Sequence, residues 1–243
     1  MDIHLRRKFL SERFFERYGS RVHDGPFKGM ILPDMSSWGA DGDKLPKALG
    51  QYERELHELI VESQAEDYDV VVNVGCAEGF YAVGLAMLHK NAKVYAFDIN
   101  AQAQKLCQTA AIENGVESRL EVAGMCDTVI LQTVLSSGKK CLLVCDVEGY
   151  ELQLIDPSQV PALNRTTILI ECHDFLNREI TSTLKNRLSH GHLLRQIVEG
   201  ERNPNLHEFQ ARLGSIDRWL TVCEFRPERM DWLWGIPKLN IYP

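Results

Sequence analysis

The segment VVNVGCAEGF, Val71 to Phe80, constrains this chain more than any other: an apolar run passes directly into a turn with glycines at 75 and 79. One helix length later comes YAFDIN, a second apolar run that ends on Asp98. A strand, a glycine turn, a helix and a strand closing on a carboxylate make a βαβ unit able to hold an adenosyl cofactor. Gly75 and Gly79 let the backbone pass close to a ligand, because no Cβ intrudes and unusual φ is tolerated. Asp98, 23 positions after Gly75, is placed to accept hydrogen bonds from two ribose hydroxyls.

From Val70 onward, strand and helix patterns alternate. Strands are predicted at 70–74, 93–97, 120–122, 141–147, 167–172, 193–198 and 220–225. Between the second and third, Asn100 can cap a helix whose buried stripe is Ala103, Leu106, Cys107, Ala110 and Ala111, with Gly115 as the stop. CLLVCDV and TILIECHD are apolar on both faces, as central parallel strands covered by helices must be. The expected fold is a doubly wound, seven-stranded α/β sheet. Residues 1–45 are predicted as an N-terminal helical and loop extension, and 46–243 as the main domain. In the extension, Leu5, Phe9, Leu10, Phe14 and Tyr18 recur at helical spacing up to Gly19, and a turn-rich stretch follows at 23–44. Pro46 then opens a helix with the stripe Leu49, Tyr52, Leu56, Leu59 and Ile60.

A formal charge of −7, from 27 basic and 34 acidic residues, provides no global basic field to recruit nucleic acid. No apolar run approaches the roughly 20 residues of a membrane span, and the charged N-terminus does not read as a signal-peptide core. A cytoplasmic protein is expected, with its seven cysteines reduced and mostly buried, since no CxxC pair or histidine spacing suggests zinc.

In open α/β sheets ligands sit beyond the carboxyl ends of the strands, so 73–79, Asp98, 123–127, 146–149 and 172–174 should share one rim. A turn reading G-C-A-E-G lacks the G-x-G-x-x-G spacing that brings a pyrophosphate to a helix N-terminus, and Glu78 would repel phosphate. S-adenosylmethionine, a cation without phosphate, suits an acidic rim better than NAD(P). An oxidoreductase and a non-catalytic adaptor are the alternatives.

VVNVGCAEGFYAVGLA, YAFDIN, LLVCDVEGYELQLI and ILIECHD resemble, in order and spacing, the landmarks of FkbM-type S-adenosylmethionine-dependent methyltransferases, and GPFKGM with LGQYEREL resembles the segment preceding that family's catalytic domain. The resemblance spans roughly 25–174, with DVEGYE its most specific part. It implies a Rossmann-like domain of the class I methyltransferase type, acting on an oxygen of a small molecule or saccharide. It also implies that Gly75, Cys76, Ala77 and Gly79 face the methionine part of the cofactor, Asp98 the ribose and Asp127 the adenine, with Asn73 at a cofactor-binding position where the family commonly has Asp. Asp127 reads equally as a cap for a helix at 128–135. Asn73 lacks a charge for the cofactor's ammonium, for which Glu53 and Asp146 are the other carboxylates available.

Methyl transfer needs alignment, worth about 7–11 kcal/mol, more than a general base, worth about 10²–10⁴-fold. Asp146 and Glu148, where the fourth strand ends, and His173, after the fifth, are the candidate catalytic groups, with His173 the expected base. Glu151 reads as a helix N-terminal carboxylate. No metal ligand set is assigned. The competing arrangement is a divalent cation held by Asp146, His173 and Asp174. Trp219, Trp232 and Trp234 read as strand-borne core aromatics or a sugar-stacking set, and GERNPNLHEF as a candidate substrate lid.

Overall fold

The structure is a computed structural model in which residues 2–37 and 43–240 are described. Positions 38–42 of the turn-rich stretch, and 1 and 241–243 at the ends, lie outside the described residues. The strands are β1 (Val70–Val74), β2 (Lys93–Phe97), β3 (Leu120–Ala123), β4 (Cys141–Cys145), β5 (Thr166–Cys172), β6 (His192–Ile197) and β7 (Asp231–Pro237). They form one sheet in the order β3-β2-β1-β4-β5-β7-β6, parallel except where β7 runs antiparallel between β5 and β6. The helices are α1 (Ile3–Tyr18), α2 (Lys44–Ala48), α3 (His57–Ser63), α4 (Phe80–Leu88), α5 (Ala101–Glu113), α6 (Thr128–Ser137), α7 (Glu151–Leu154), α8 (Ile180–Leu188), α9 (Glu208–Ala211) and α10 (Ser215–Leu220). This is the doubly wound, Rossmann-like seven-stranded α/β architecture expected from the sequence.

Two apolar clusters divide the core by the period-2 alternation of the strands. Val71 of β1, with Leu142 and Val144 of β4, packs beneath α4, α5 and the N-terminal segment. Val70, Val72 and Val74 face the opposite way, against α6, α7 and α8. Leu10 and Phe14 of α1 belong to the first cluster, so the N-terminal segment shares the core of the sheet. Leu5 and Phe9, from the same predicted stripe, are exposed; Arg7 and Ser11 take the buried positions instead. Arg7 is held inside by Asp43 at 2.7 Å.

The α5 reading holds in full: Asn100 accepts from the Gln102 and Ala103 N–H groups, and the buried residues are the five predicted. Two readings do not. The helix expected from Pro46 is broken after α2, because Gly50 (φ +64) lies so close to the Asp24 carbonyl that a Cβ would sit 2.3 Å from its oxygen. The last strand is β7 rather than 220–225: α10 reaches Leu220, and Thr221 ends it by donating to the Arg218 carbonyl at 2.6 Å. Trp232 of β7 is fully buried, whereas Trp219 is exposed on α10. Among the described residues no helix is long and apolar enough to cross a membrane, and all seven cysteines are free thiols, six of them buried.

Candidate active site

The carboxyl ends of β1, β2 and β4 are stitched together by the backbone. The Gly75 and Cys76 N–H groups donate to the Phe97 carbonyl at 2.8 and 2.9 Å, and the Asp146 N–H donates to the Val74 carbonyl at 2.9 Å. Gly75 (φ +79) passes so near β4 that a Cβ would lie 1.5 Å from the Asp146 carbonyl oxygen. Asp98 accepts from the Ala77 N–H through Oδ2 and from the Asn100 N–H through Oδ1, both at 2.8 Å. A carboxylate offers about four lone-pair positions, so both oxygens retain capacity for a ligand.

Two cavities open on this rim. One, of about 300 Å³, is lined by Gly75, Cys76, Ala77, Asp146, Glu171 and Arg226 among others; the second, of about 390 Å³, by Phe97, Ile99, Met125, Cys126 and Tyr150. They share Gly75, Asp98, Asp146 and Glu148. Volumes of this order are usual for small-molecule sites. Asp43, Ala77, Glu148 and Phe225, with φ between 44 and 53, all line the first cavity. Each such non-glycine conformation costs about 1–3 kcal/mol and persists where the surroundings enforce it.

Of the sequence-assigned residues, Gly75, Cys76, Ala77, Asp98, Asp146 and Glu148 meet here, and four others, Asn73, Gly79, Asp127 and His173, do not line the cavities. Asn73 is buried in β1 with its amide donating to the Val144 carbonyl at 3.4 Å. Gly79 (φ +96) serves the close approach of α5, where a Cβ would lie 2.9 Å from Cys107 Sγ. Asp127 caps α6, accepting from the Ile130 N–H at 2.8 Å. Glu78 turns away from the rim to accept from Lys47 at 2.6 Å and Ser37 at 3.0 Å. Burial works against the Glu78 charge, but Lys47, a backbone N–H and Ser37 together hold the carboxyl below its ordinary range.

His173 is fully buried, with Nδ1 hydrogen-bonded to Glu151 and Nε2 facing Asp146, Glu148 and Glu171 at 3.4–3.5 Å. Burial opposes its charge, yet the bond to Glu151 and the neighbouring Glu171 raise its pKa above the usual imidazole value. The base assigned from sequence therefore stands behind the cavity, and carboxylates face the ligand space. Glu151, read as a helix N-terminal carboxylate, does open α7 and is also the partner that orients His173. Asp174 points elsewhere, accepting from the Thr181 N–H and hydroxyl at 3.0 and 2.6 Å, so it is not part of the cation arrangement considered from sequence. Glu171 takes that place. Period-2 alternation could have revealed it, since Glu171 and His173 share one strand face and Asp174 does not.

Arg226 binds Glu53, Glu171 and Glu224, an assembly without a sequence signal because 220–225 reads as a strand. Asp146 is pushed well above the usual carboxylate range by burial, then by Glu171 and Glu53. The expected lid, GERNPNLHEF, is pinned through Arg202 to Glu55 at 2.6 Å and Glu224 at 2.5 Å.

No protein-family model matches the chain, and no curated protein sequence matches it. Solved structures do align with it. The O-methyltransferase TomG from Streptomyces achromogenes in complex with SAM is 9% identical over 98% of this chain and 90% of its own, with a TM-score of 0.48. Cofactor-bound Rv0187 from MTB is 12% identical over 84% and 83%, at a TM-score of 0.48. The methyltransferase domain of bacterial CtHen1 is 11% identical over 76% and 100%, at 0.42. Two of these three are methyltransferases, TomG with SAM bound.

Proposed function

We propose that the chain is an S-adenosylmethionine-dependent methyltransferase of FkbM type that methylates a hydroxyl of a small molecule or saccharide. The observation that carries this reading is the pair of cavities meeting on Gly75, Asp98, Asp146 and Glu148 at the strand tips. The Ile99, Met125 and Tyr150 side is apolar enough for an adenine, Asp98 stands between the cavities for the ribose, and the acidic side suits a sulfonium and an ammonium. A pyrophosphate would meet Lys47 already held by Glu78, and Arg226 already held by three carboxylates. We take 46–243 as the catalytic domain and 1–45 as an extension that braces the glycine turn through Ser37 and Glu78. The free thiols suit the reducing cytoplasm.

When bound, the cofactor supplies an electrophilic methyl on a cationic sulfur. The rim contributes alignment and removal of water, which dominate the rate. Asp146 and Glu148 face the acceptor, and a carboxylate positioned there is suited to take its proton as the methyl is transferred. Transfer to the acceptor oxygen would leave a methyl ether and S-adenosylhomocysteine, with the acceptor proton passing to Asp146 or Glu148. Glu151 orients the His173 ring behind this carboxylate set.

Turnover of isotopically methyl-labelled S-adenosylmethionine against a panel of hydroxylated acceptors tests the proposal. Asp146→Asn is expected to lower kcat by about 10²–10⁴-fold. Absence of label in every acceptor, or a variant as fast as the wild type, would remove the assignment.

A further inference from the structure

The buried face of His173 meets a geometry that hydrogen bonding leaves unexplained. Nε2 lies 3.5 Å from both Asp146 Oδ1 and Glu171 Oε2, beyond the usual N–H···O length of about 2.9–3.0 Å. Among the described residues neither Nε2 nor Asp146 Oδ1 has a hydrogen-bond partner, although both are buried, and His173 is 0% exposed. A buried imidazole nitrogen without a partner is costly unless something accepts its lone pair. One donor atom each from Asp146, Glu171 and His173 lies within 4.8 Å of the others. Donors bound tetrahedrally at about 2.1 Å are separated by about 3.4 Å, which is close to both measured spans.

The surroundings are those of a ligand set. Glu151 engages Nδ1, the outer carboxylate that fixes the ring orientation and directs the Nε2 lone pair inward. Arg226 occupies Oε1 of Glu171 and leaves Oε2 facing His173. Glu148 Oε2 stands 3.4 Å from Nε2 on a side chain 73% exposed, free to approach or leave. Four carboxylates, those of residues 146, 148, 151 and 171, surround one imidazole, and Arg226 is shared with Glu53 and Glu224.

We propose that Asp146, Glu171 and His173 bind one divalent first-row transition-metal ion, with Glu148 as an exchangeable fourth ligand. An imidazole donor favours manganese, iron, cobalt or zinc over magnesium or calcium, which prefer all-oxygen sets. The site stands independently of the methyl-transfer reading. If that reading also holds, an ion at the edge of the cavity would bind an acceptor hydroxyl, lower its pKa and favour acceptors with two adjacent oxygens.

Electron paramagnetic resonance of the full, chelator-stripped chain titrated with manganese(II) tests this. One saturable site per chain is expected, with nitrogen hyperfine coupling from a coordinated imidazole, and zinc should displace the manganese. Asp146→Asn and Glu171→Gln are expected to weaken binding at least about 100-fold. Thermal melting of each variant beforehand establishes folding, and the wild-type nitrogen coupling needs no variant. No saturable binding of either metal up to millimolar concentration, binding without nitrogen coupling, or equal affinity in both folded variants would overturn the site. S-adenosylhomocysteine binding is measured separately, so failure of one proposal is distinguishable from failure of the other.

Discussion

Gly75→Ala is expected to cost more than about 3 kcal/mol of stability and to abolish cofactor binding, because the new Cβ would fall 1.5 Å from the Asp146 carbonyl oxygen. Backbone opposes backbone at this point, so no side-chain rotation relieves the overlap. Either β1 or β4 must shift, and the Asp146 carboxylate moves with β4. Gly115→Ala is the matched control. Gly115 also has a positive φ, +68, but a Cβ added there would meet nothing within 4 Å, and the change is expected to cost only about 1 kcal/mol. Chemical denaturation of both variants measures the difference. Equal losses would show that φ alone, not the approach of the two strand tips, requires glycine at 75.

Lys47→Met is expected to destabilise the chain by about 3–5 kcal/mol, the usual consequence of leaving a buried carboxylate without its cation. Lys47 and Glu78 are both nearly inaccessible and 2.6 Å apart. The double variant Lys47→Met with Glu78→Gln removes both charges and should recover much of that loss. The pH dependence has a defined sign. The folded-state pKa of Glu78 lies below its ordinary 4.5, so its contribution is present above 4.5 and is lost as pH falls through the lowered value. Glu78→Gln should lack this part of the acid-side decline in denaturation midpoint. A wild-type-like acid profile in Glu78→Gln, or no recovery in the double variant, would contradict the pairing.

The first half of the sheet was legible because its signals are local. Glycine turns, the Asn100 cap and period-2 apolar runs place β1, β2, β4, β5 and α5 within a few residues of their observed positions. The same signals brought Gly75, Asp98, Asp146 and Glu148 to one rim. What sequence missed depends on contacts between distant segments. Arg226 reaches Glu53, 173 positions away, and Lys47 reaches Glu78, 31 away; neither pair has a spacing to read. Glu171 stood inside an apolar strand and read as part of its core, although its register with His173 was available. Asn73 and Gly79 took their assigned roles from the resemblance; in the structure the Asn73 amide donates to β4 while its Oδ1 is buried without a partner among the described residues, and Gly79 closes on α5.

On the proposed function the rim holds an adenosyl cofactor without phosphate, with Asp98 on the ribose. Calorimetric titration of the wild type and a folded Asp98→Ala variant with S-adenosylhomocysteine, and separately with NAD, tests it most directly. One S-adenosylhomocysteine per chain, its loss in Asp98→Ala and no NAD binding are the predicted results; NAD binding in its place, or unchanged affinity in the variant, would contradict the account.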